Sequence, residues 1–279
     1  CCFEGFAPMT ISWDGEAEKM LRRVPFFVRK RVRTKVEEEV AAAGRNLVTK
    51  TDLEESKRKH LKSLSEDIKG YSLDACFGSS GCHNAVVASA DLVSNLENLL
   101  EKADLLTFLR SSLGEGLKLH HQLRVTIADC PNSCSQPQIK DIGIIGQAEL
   151  SCDPSECIGC GECEVVCEES AILLNDGFLV SIDEDLCVEC GACARACPNS
   201  AIDISANTYK ILVGGKLGRH PQLARELTGS LDGDQVLALV VVIVDFFKSN
   251  AISGERLGAL INRVGWEEFE KSVLEVKRN

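Results

Sequence analysis

The chain has 279 residues, of which 44% are hydrophobic, and carries 15 cysteines and a net charge of −11. That size and polarity suit one to three globular domains and exclude a collagen-like or disordered polymer. Residues 151–205 hold 12 Asp and Glu against the single Arg195, leaving 30 charges of each sign elsewhere, a balance that excludes a basic nucleic-acid-binding domain.

In chain order, Cys1-Cys2 opens the sequence with no pairing partner in view. From Trp13 to Leu64 the pattern is helical: Ala17, Leu21 and Val24 recur on one face, Pro25 breaks it, and Val28, Val32, Val36 and Val40 mark a second helix. Arg22, Arg23, Arg29, Lys30, Arg31, Arg33 and Lys35 form a basic run, most simply a solvated helix face. A polar stretch, Lys57 to Gly70, ends this helical segment. Tyr71 to Ala75 then leads into Cys76-Phe-Gly-Ser-Ser-Gly-Cys82, a C-x5-C pair. Behind it the apolar spacing predicts a helix through Val86, Val87, Ala90, Val93, Leu96 and Leu100, with its positive amino end toward the cysteine loop. His83 reads as a surface histidine or a donor to a cluster, and His120 and His121 read as structural. Leu123, Val125 and Ile127 alternate as a strand before Cys130-Pro-Asn-Ser-Cys134, a C-x3-C pair, and Ile142 to Ile145 is a further buried strand. Four cysteines in two short loops, with Gly78 and Gly81 permitting close backbone approach, suit a 4Fe-4S cluster.

Next come Cys157, Cys160, Cys163 and Cys167, repeated 30 residues later as Cys187, Cys190, Cys193 and Cys197, with Ser170-Ala171-Ile172 echoed by Ser200-Ala201-Ile202. This is an internal duplication of C-x2-C-x2-C-x3-C. Zinc is the other reading of a tetrathiolate, and two interlocked repeats weigh against it. Pro198 follows the second run but Glu168 follows the first, so a looser turn is expected there. Cys152 is left over and is expected to be a small buried residue. With no secretory signal pattern and cysteines at metal-ligand spacings, the expected setting is reducing and cytoplasmic. A strand through Tyr209 to Val213 ends in Gly214-Gly215-Lys216-Leu217-Gly218-Arg219, a glycine-rich basic turn. Helices are expected over Gln235–Lys248, Glu255–Val264 and Trp266–Val276. The apolar run Val236 to Val244 is interrupted by Asp245 and falls short of the roughly 20 residues of a membrane helix, so no span is expected.

These motifs resemble known families. The C-x5-C and C-x3-C pairs, with Leu123 to Gln147, resemble the siroheme-containing sulfite and nitrite reductases. Asp129 stands where that family commonly has glycine. The resemblance implies that Cys134 bridges a cluster to siroheme iron, and that Lys216 and Arg219 approach the siroheme. The duplicated runs are similar to two-cluster bacterial ferredoxins, in which the fourth cysteine of each run serves the other cluster. One set is then Cys157, Cys160, Cys163 and Cys197, and the other Cys187, Cys190, Cys193 and Cys167. Trp13 to Glu37 resembles the small C-terminal domain of the light-independent protochlorophyllide reductase catalytic subunit. Arg29 and Arg33 are there the candidates for a substrate anion.

The expected architecture is α+β: a helical domain over 1–68, a siroheme/4Fe-4S half domain over 69–150 and 206–279, and a ferredoxin insert over 151–205. Its expected function is reduction of a small oxyanion, sulfite or nitrite, using three 4Fe-4S clusters and siroheme fed by a redox partner protein. The alternative is an electron-transfer subunit without siroheme. One C-x5-C…C-x3-C set per chain implies a homodimer or a heteromeric complex.

Overall fold

In the computed structural model, residues 11–66 and 68–275 are described; Cys1 and Cys2 lie outside them. The chain divides after Ile68 into two compact units.

The first unit is built from short helices. A two-residue strand β1 (Ser12–Trp13) leads to α1 (Gly15–Arg22), whose first turn is capped by Asp14 accepting from the Glu16 and Ala17 N–H groups at 2.8 and 2.6 Å. Pro25 stops the chain, and α2 (Phe26–Ala42) begins directly after it. β2 (Leu47–Val48) pairs in parallel with β1, and α3 (Lys50–Glu66) follows. Ala17, Leu21, Val36, Val40, Val48 and Leu53 form its small core. Only Val36 and Val40 of α2 are buried; Val32 packs against that core from the first half of the helix, whose first residues, Phe26 and Phe27, are exposed.

The second unit is a five-stranded sheet in the order β3-β4-β5-β8-β9. β3 (Tyr71–Ala75) is followed by α4 (Ala90–Lys102), α5 (Leu105–Leu113) and β4 (Leu123–Ala128), and β4 lies parallel to β3. β5 (Ile142–Cys152) is parallel to β4. After it come α6 (Glu162–Val165), the antiparallel pair β6 (Ile172–Asn175) and β7 (Phe178–Ile182), and α7 (Ala192–Ala196). β8 (Ile202–Val213) returns antiparallel to β5, β9 (Arg225–Leu231) adds the edge, and α8 (Gly233–Asn250), α9 (Leu257–Val264) and α10 (Trp266–Leu274) close the unit. Alternation sends Leu123, Val125, Ile127, Ile142, Ile144, Ile211 and Val213 into one core with the helices. α8 contributes six buried side chains, worth on the order of 10 kcal/mol of apolar burial before ordering entropy. Asp232 and Gln235 cap it reciprocally.

Two expectations change. The helix after the first cysteine loop begins at Ala90, not Val86, because the Val86 and Val87 N–H groups donate to the Asp129 carbonyl at 2.9 and 3.3 Å instead of entering a helix. Cys152 is exposed, at the far end of β5, where the ladder leaves the core. β5 and β8 stay paired from Ile142 opposite Val213 to Cys152 opposite Ile202, with a bulge between Glu149 and Leu150 that leaves Ser205 without a partner in the ladder. The segment between them is thus carried on a paired ribbon. No helix among the described residues is long and apolar enough to cross a membrane.

Candidate iron–sulfur site

Parallel pairing of β3 with β4 puts both carboxyl ends on one edge, Ala75 opposite Ile127. Cys76 directly follows β3, and Asp129-Cys130 directly follows β4, so two loops distant in sequence meet where an open α/β sheet characteristically binds its ligand. Burial pushes the Cys130 thiol up, the Asn132 N–H opposes it, and the Cys134, Cys76 and Cys82 thiols add to the rise. Cys130 is buried, Cys76 and Cys82 are half-buried, and Cys134 is exposed. Cys76 Sγ accepts from the Gly78 and Asp129 N–H groups at 3.3 and 3.2 Å, while Asn132 Nδ2 donates to Cys134 Sγ at 3.2 Å. Such donors suit thiolates that carry iron. Asn132 had no sequence signal beyond its position inside the C-x3-C loop.

The turn Gly214-Gly215-Lys216 follows β8 at the edge where β5 begins, Val213 opposite Ile142, and packs on the 138–140 turn. A Cβ on Gly215 would stand 2.5 Å from the Gln138 carbonyl oxygen, so glycine is required by that close approach. Lys216 pairs with Gln222 through both backbone groups and is half-buried, whereas Arg219 is exposed. His83 is exposed, and His121 Nδ1 accepts the Lys118 N–H at 3.0 Å, a local structural role.

The duplicated runs also bring cysteines together. Cys157, Cys160, Cys163 and Cys197 line one small cavity together with Ile158, Leu174 and Leu179. Burial pushes the Cys193 thiol up to about 11, with Cys187, Cys190 and Cys167 adding to the push. Cys157 Sγ accepts from the Gly159 and Leu179 N–H groups at 3.5 and 3.3 Å, Cys167 from Ala171 at 3.3 Å and Cys187 from Glu189 at 3.4 Å. Burial raises Cys197, but the N–H groups of Ile202, Asn199, Ala201 and Ser200 together bring it below its ordinary value. Ser170 and Ser200 share φ 54°, and the Ser170 N–H donates to the Cys167 carbonyl at 3.2 Å across the turn after Glu168. Among the described residues no three His, Cys, Asp or Glu side chains close on a single ion.

The two runs differ in position. The Ala148 N–H donates to the Glu189 carbonyl at 2.8 Å, and Ala148 packs with Val86 and Cys130. The Cys187 run therefore lies beside the strand that flanks the Cys76–Cys134 cradle. The Cys157 run lies on the β6–β7 side, with Gly159 against the Phe178 ring.

In the helical unit, Arg29 donates to the Val24 carbonyl from Nε and Nη2 at 3.1 and 2.9 Å, and to the Arg22 carbonyl at 2.9 Å, closing the end of α1. Arg33 Nε donates to Glu37 at 3.0 Å, and its guanidinium lies 5.0 Å from the Trp13 ring centroid. Both guanidinium groups are thus engaged within the unit. Other members of the basic run, Arg23, Arg31 and Lys35, line an open groove of about 1090 Å³ over Met20, Val24, Val28 and Val32.

Cysteine-rich loops on a scaffold of mixed helix and sheet suit an iron–sulfur protein. The family model described as the nitrite and sulphite reductase 4Fe-4S domain matches residues 71–279, and the chain belongs to that family. A second model, the proto-chlorophyllide reductase 57 kD subunit, matches residues 13–57. In that region the chain is 54% identical over 39 residues to a subunit of the light-independent protochlorophyllide reductase of Chlorobium phaeobacteroides, covering 14% of this chain and 7% of that one. The chain is 31% identical over 206 residues to the coenzyme F420-dependent sulfite reductase of Methanocaldococcus jannaschii, covering 73% of this chain and 31% of the relative. It is 28% identical over 214 residues to a subunit of the anaerobic sulfite reductase of Salmonella typhimurium, covering 74% and 59%. The chain thus spans about a third of the first relative's length and three fifths of the second's.

Proposed function

We propose that the protein is a siroheme iron–sulfur reductase of a small oxyanion, sulfite above all and nitrite next. The observation that carries this reading is the meeting of Cys76, Cys82, Cys130 and Cys134 at the carboxyl ends of two parallel strands, with Cys134 the exposed member. Bound here, three 4Fe-4S clusters and siroheme supply one-electron storage and transfer and an open iron position for the oxyanion. Cys134 offers its sulfur outward, as a bridge to a second iron centre requires. Cys187, Cys190, Cys193 and Cys167 hold the inner ferredoxin cluster and Cys157, Cys160, Cys163 and Cys197 the outer one. Lys216 and Arg219, at the end of the glycine turn, supply positive charge for siroheme carboxylates.

The acidic 151–205 segment exposes Ile158, Val165 and Phe178, and a charged rim around apolar contacts suits a redox partner that delivers electrons to the outer cluster. The same surface favours the second reading, an electron-transfer subunit without siroheme. Because one cradle covers only one side of a macrocycle, a twofold homodimer or a heteromeric complex completes the site. A visible spectrum of anaerobically purified protein decides between the readings. Tetrapyrrole bands above the broad iron–sulfur absorption, bleached by reductant and restored by sulfite, support the reductase; fully clustered protein without them supports the relay.

A further inference from the structure

Asp129 is fully buried, and among the described residues it forms no ion pair. A buried carboxylate without a cation is costly, by several kcal/mol, unless hydrogen bonds hold its charge. Here two hydroxyls do so: Ser79 Oγ donates to Oδ2 at 2.7 Å and Ser89 Oγ donates to Oδ1 at 2.5 Å. The Ser89 N–H donates to Ser79 Oγ at 3.2 Å, which closes a ring of three residues. Ser79 Oγ accepts that N–H and keeps its proton for Asp129, so both carboxylate oxygens have a hydroxyl donor within reach. Ser89 occupies the N-cap of α4 yet makes no side-chain cap, because its hydroxyl is turned to Asp129.

The backbone of the same residue is equally committed. Its N–H donates to Cys76 Sγ at 3.2 Å, and its carbonyl accepts from Val86 and Val87. The 78–80 turn lies directly against the carboxylate: a Cβ on Gly78 would come within 2.6 Å of Asp129 Oδ2.

We infer that Asp129 is a positioning residue of the cradle and a fixed negative charge that lowers the potential of the cluster held there. The inference rests on reading Cys76, Cys82, Cys130 and Cys134 as a cluster site. One side chain ties the first cysteine loop, through Ser79 and Cys76, to the start of α4, through Ser89, from a position next to Cys130. An added electron on a cluster beside a buried anion meets repulsion that water does not screen, so the oxidised cluster is favoured.

Two variants test this in the full chain, with the two ferredoxin clusters as internal references. In Asp129→Asn the charge is removed at nearly constant shape. The cradle signal in a redox titration followed by electron paramagnetic resonance then moves to more positive potential, while the other two signals stay in place. An unmoved cradle signal overturns the charge role. In Ser79→Ala the charge remains and the ring is cut, so an iron chelator strips the cradle cluster several-fold faster than in the parent, with parental rates at the other two. Equal rates at all three overturn the positioning role. A parent protein that binds about eight irons and shows no third signal sinks the cluster reading itself, and this inference with it.

Discussion

The Ala148 N–H reaches the carbonyl of Glu189 at 2.8 Å and so fastens the second cysteine run to the strand beside the cradle. Through Gly191, whose Cβ would lie 3.0 Å from that of Ala148, the backbone of this run is held close to β5. The run of Cys187 is therefore the inner one. Cys190→Ser should stop reduction of the cradle cluster by an external donor while direct chemical reduction of that cluster still proceeds. Stopped-flow absorbance with a protein donor measures it; an undiminished rate would remove the inner quartet from the path.

Excision of the segment carried on the ribbon should leave the rest folded. Its residues do not enter the main core, and β5 and β8 are already paired antiparallel at Ala148 opposite Asn207. Joining the strands there by Asn-Gly makes an ordinary hairpin. Far-UV circular dichroism should retain the remaining helix and sheet, with bound iron falling from about twelve to about four per chain. Global unfolding would show that the segment stabilises the sheet.

Cys134→Ser should disturb the cradle and any tetrapyrrole while sparing the two ferredoxin clusters, because a hydroxyl bridges two iron centres poorly. Metal analysis with magnetic spectroscopy reads this. Persistence of a coupled cluster–tetrapyrrole signal would refute the bridging role.

Asp141 is fully buried and accepts from Arg256 Nε and from the Arg124 N–H at 3.1 and 2.9 Å, with Arg256 Nη2 completing the pair. Arg256→Ala strands that carboxylate, at a cost of about 3–5 kcal/mol. Thermal unfolding of the sheet unit should drop by about 10 °C. A shift of a degree or two would mean that water replaces the guanidinium.

The helical unit should be acid-sensitive. Arg45, bonded to Asp52 at 2.6 Å, holds that carboxyl down at about 2 from an ordinary 3.8, with burial opposing and the Thr49 N–H and hydroxyl assisting. A depressed folded-state value stabilises above the unfolded value and is lost as pH falls through the folded one. Between about pH 4 and pH 2 the unit should lose roughly 1–2 kcal/mol, after allowance for solvent around the half-exposed Arg45. Asp52→Asn should flatten that dependence in a chemical denaturation series. Arg29→Ala and Arg33→Ala, which cut a helix end and an ion pair, should cost about 1 kcal/mol each. A loss of sulfite turnover beyond that instability would mark them as anion contacts.

The cysteine spacings were legible in the sequence: C-x5-C, C-x3-C and the duplicated runs are local patterns that need no neighbour to be recognised. So were the break at Pro25 and the alternation of Leu123, Val125 and Ile127, since these follow from single-residue sterics and a period of two. Spacing could not say that α4 starts at Ala90, because the competing partner of the Val86 and Val87 N–H groups is a carbonyl on another strand. Asp129 read only as a departure from glycine, and its two hydroxyl partners lie 50 and 40 positions away. Which cysteine run is the inner one was equally hidden, as the duplicated motifs are near copies and only the antiparallel return of β8 along β5 sets them at different distances from the cradle. Local chemistry is written residue by residue, whereas the meeting of the cysteine loops depends on strand pairing across long separations, which the folded chain alone decides.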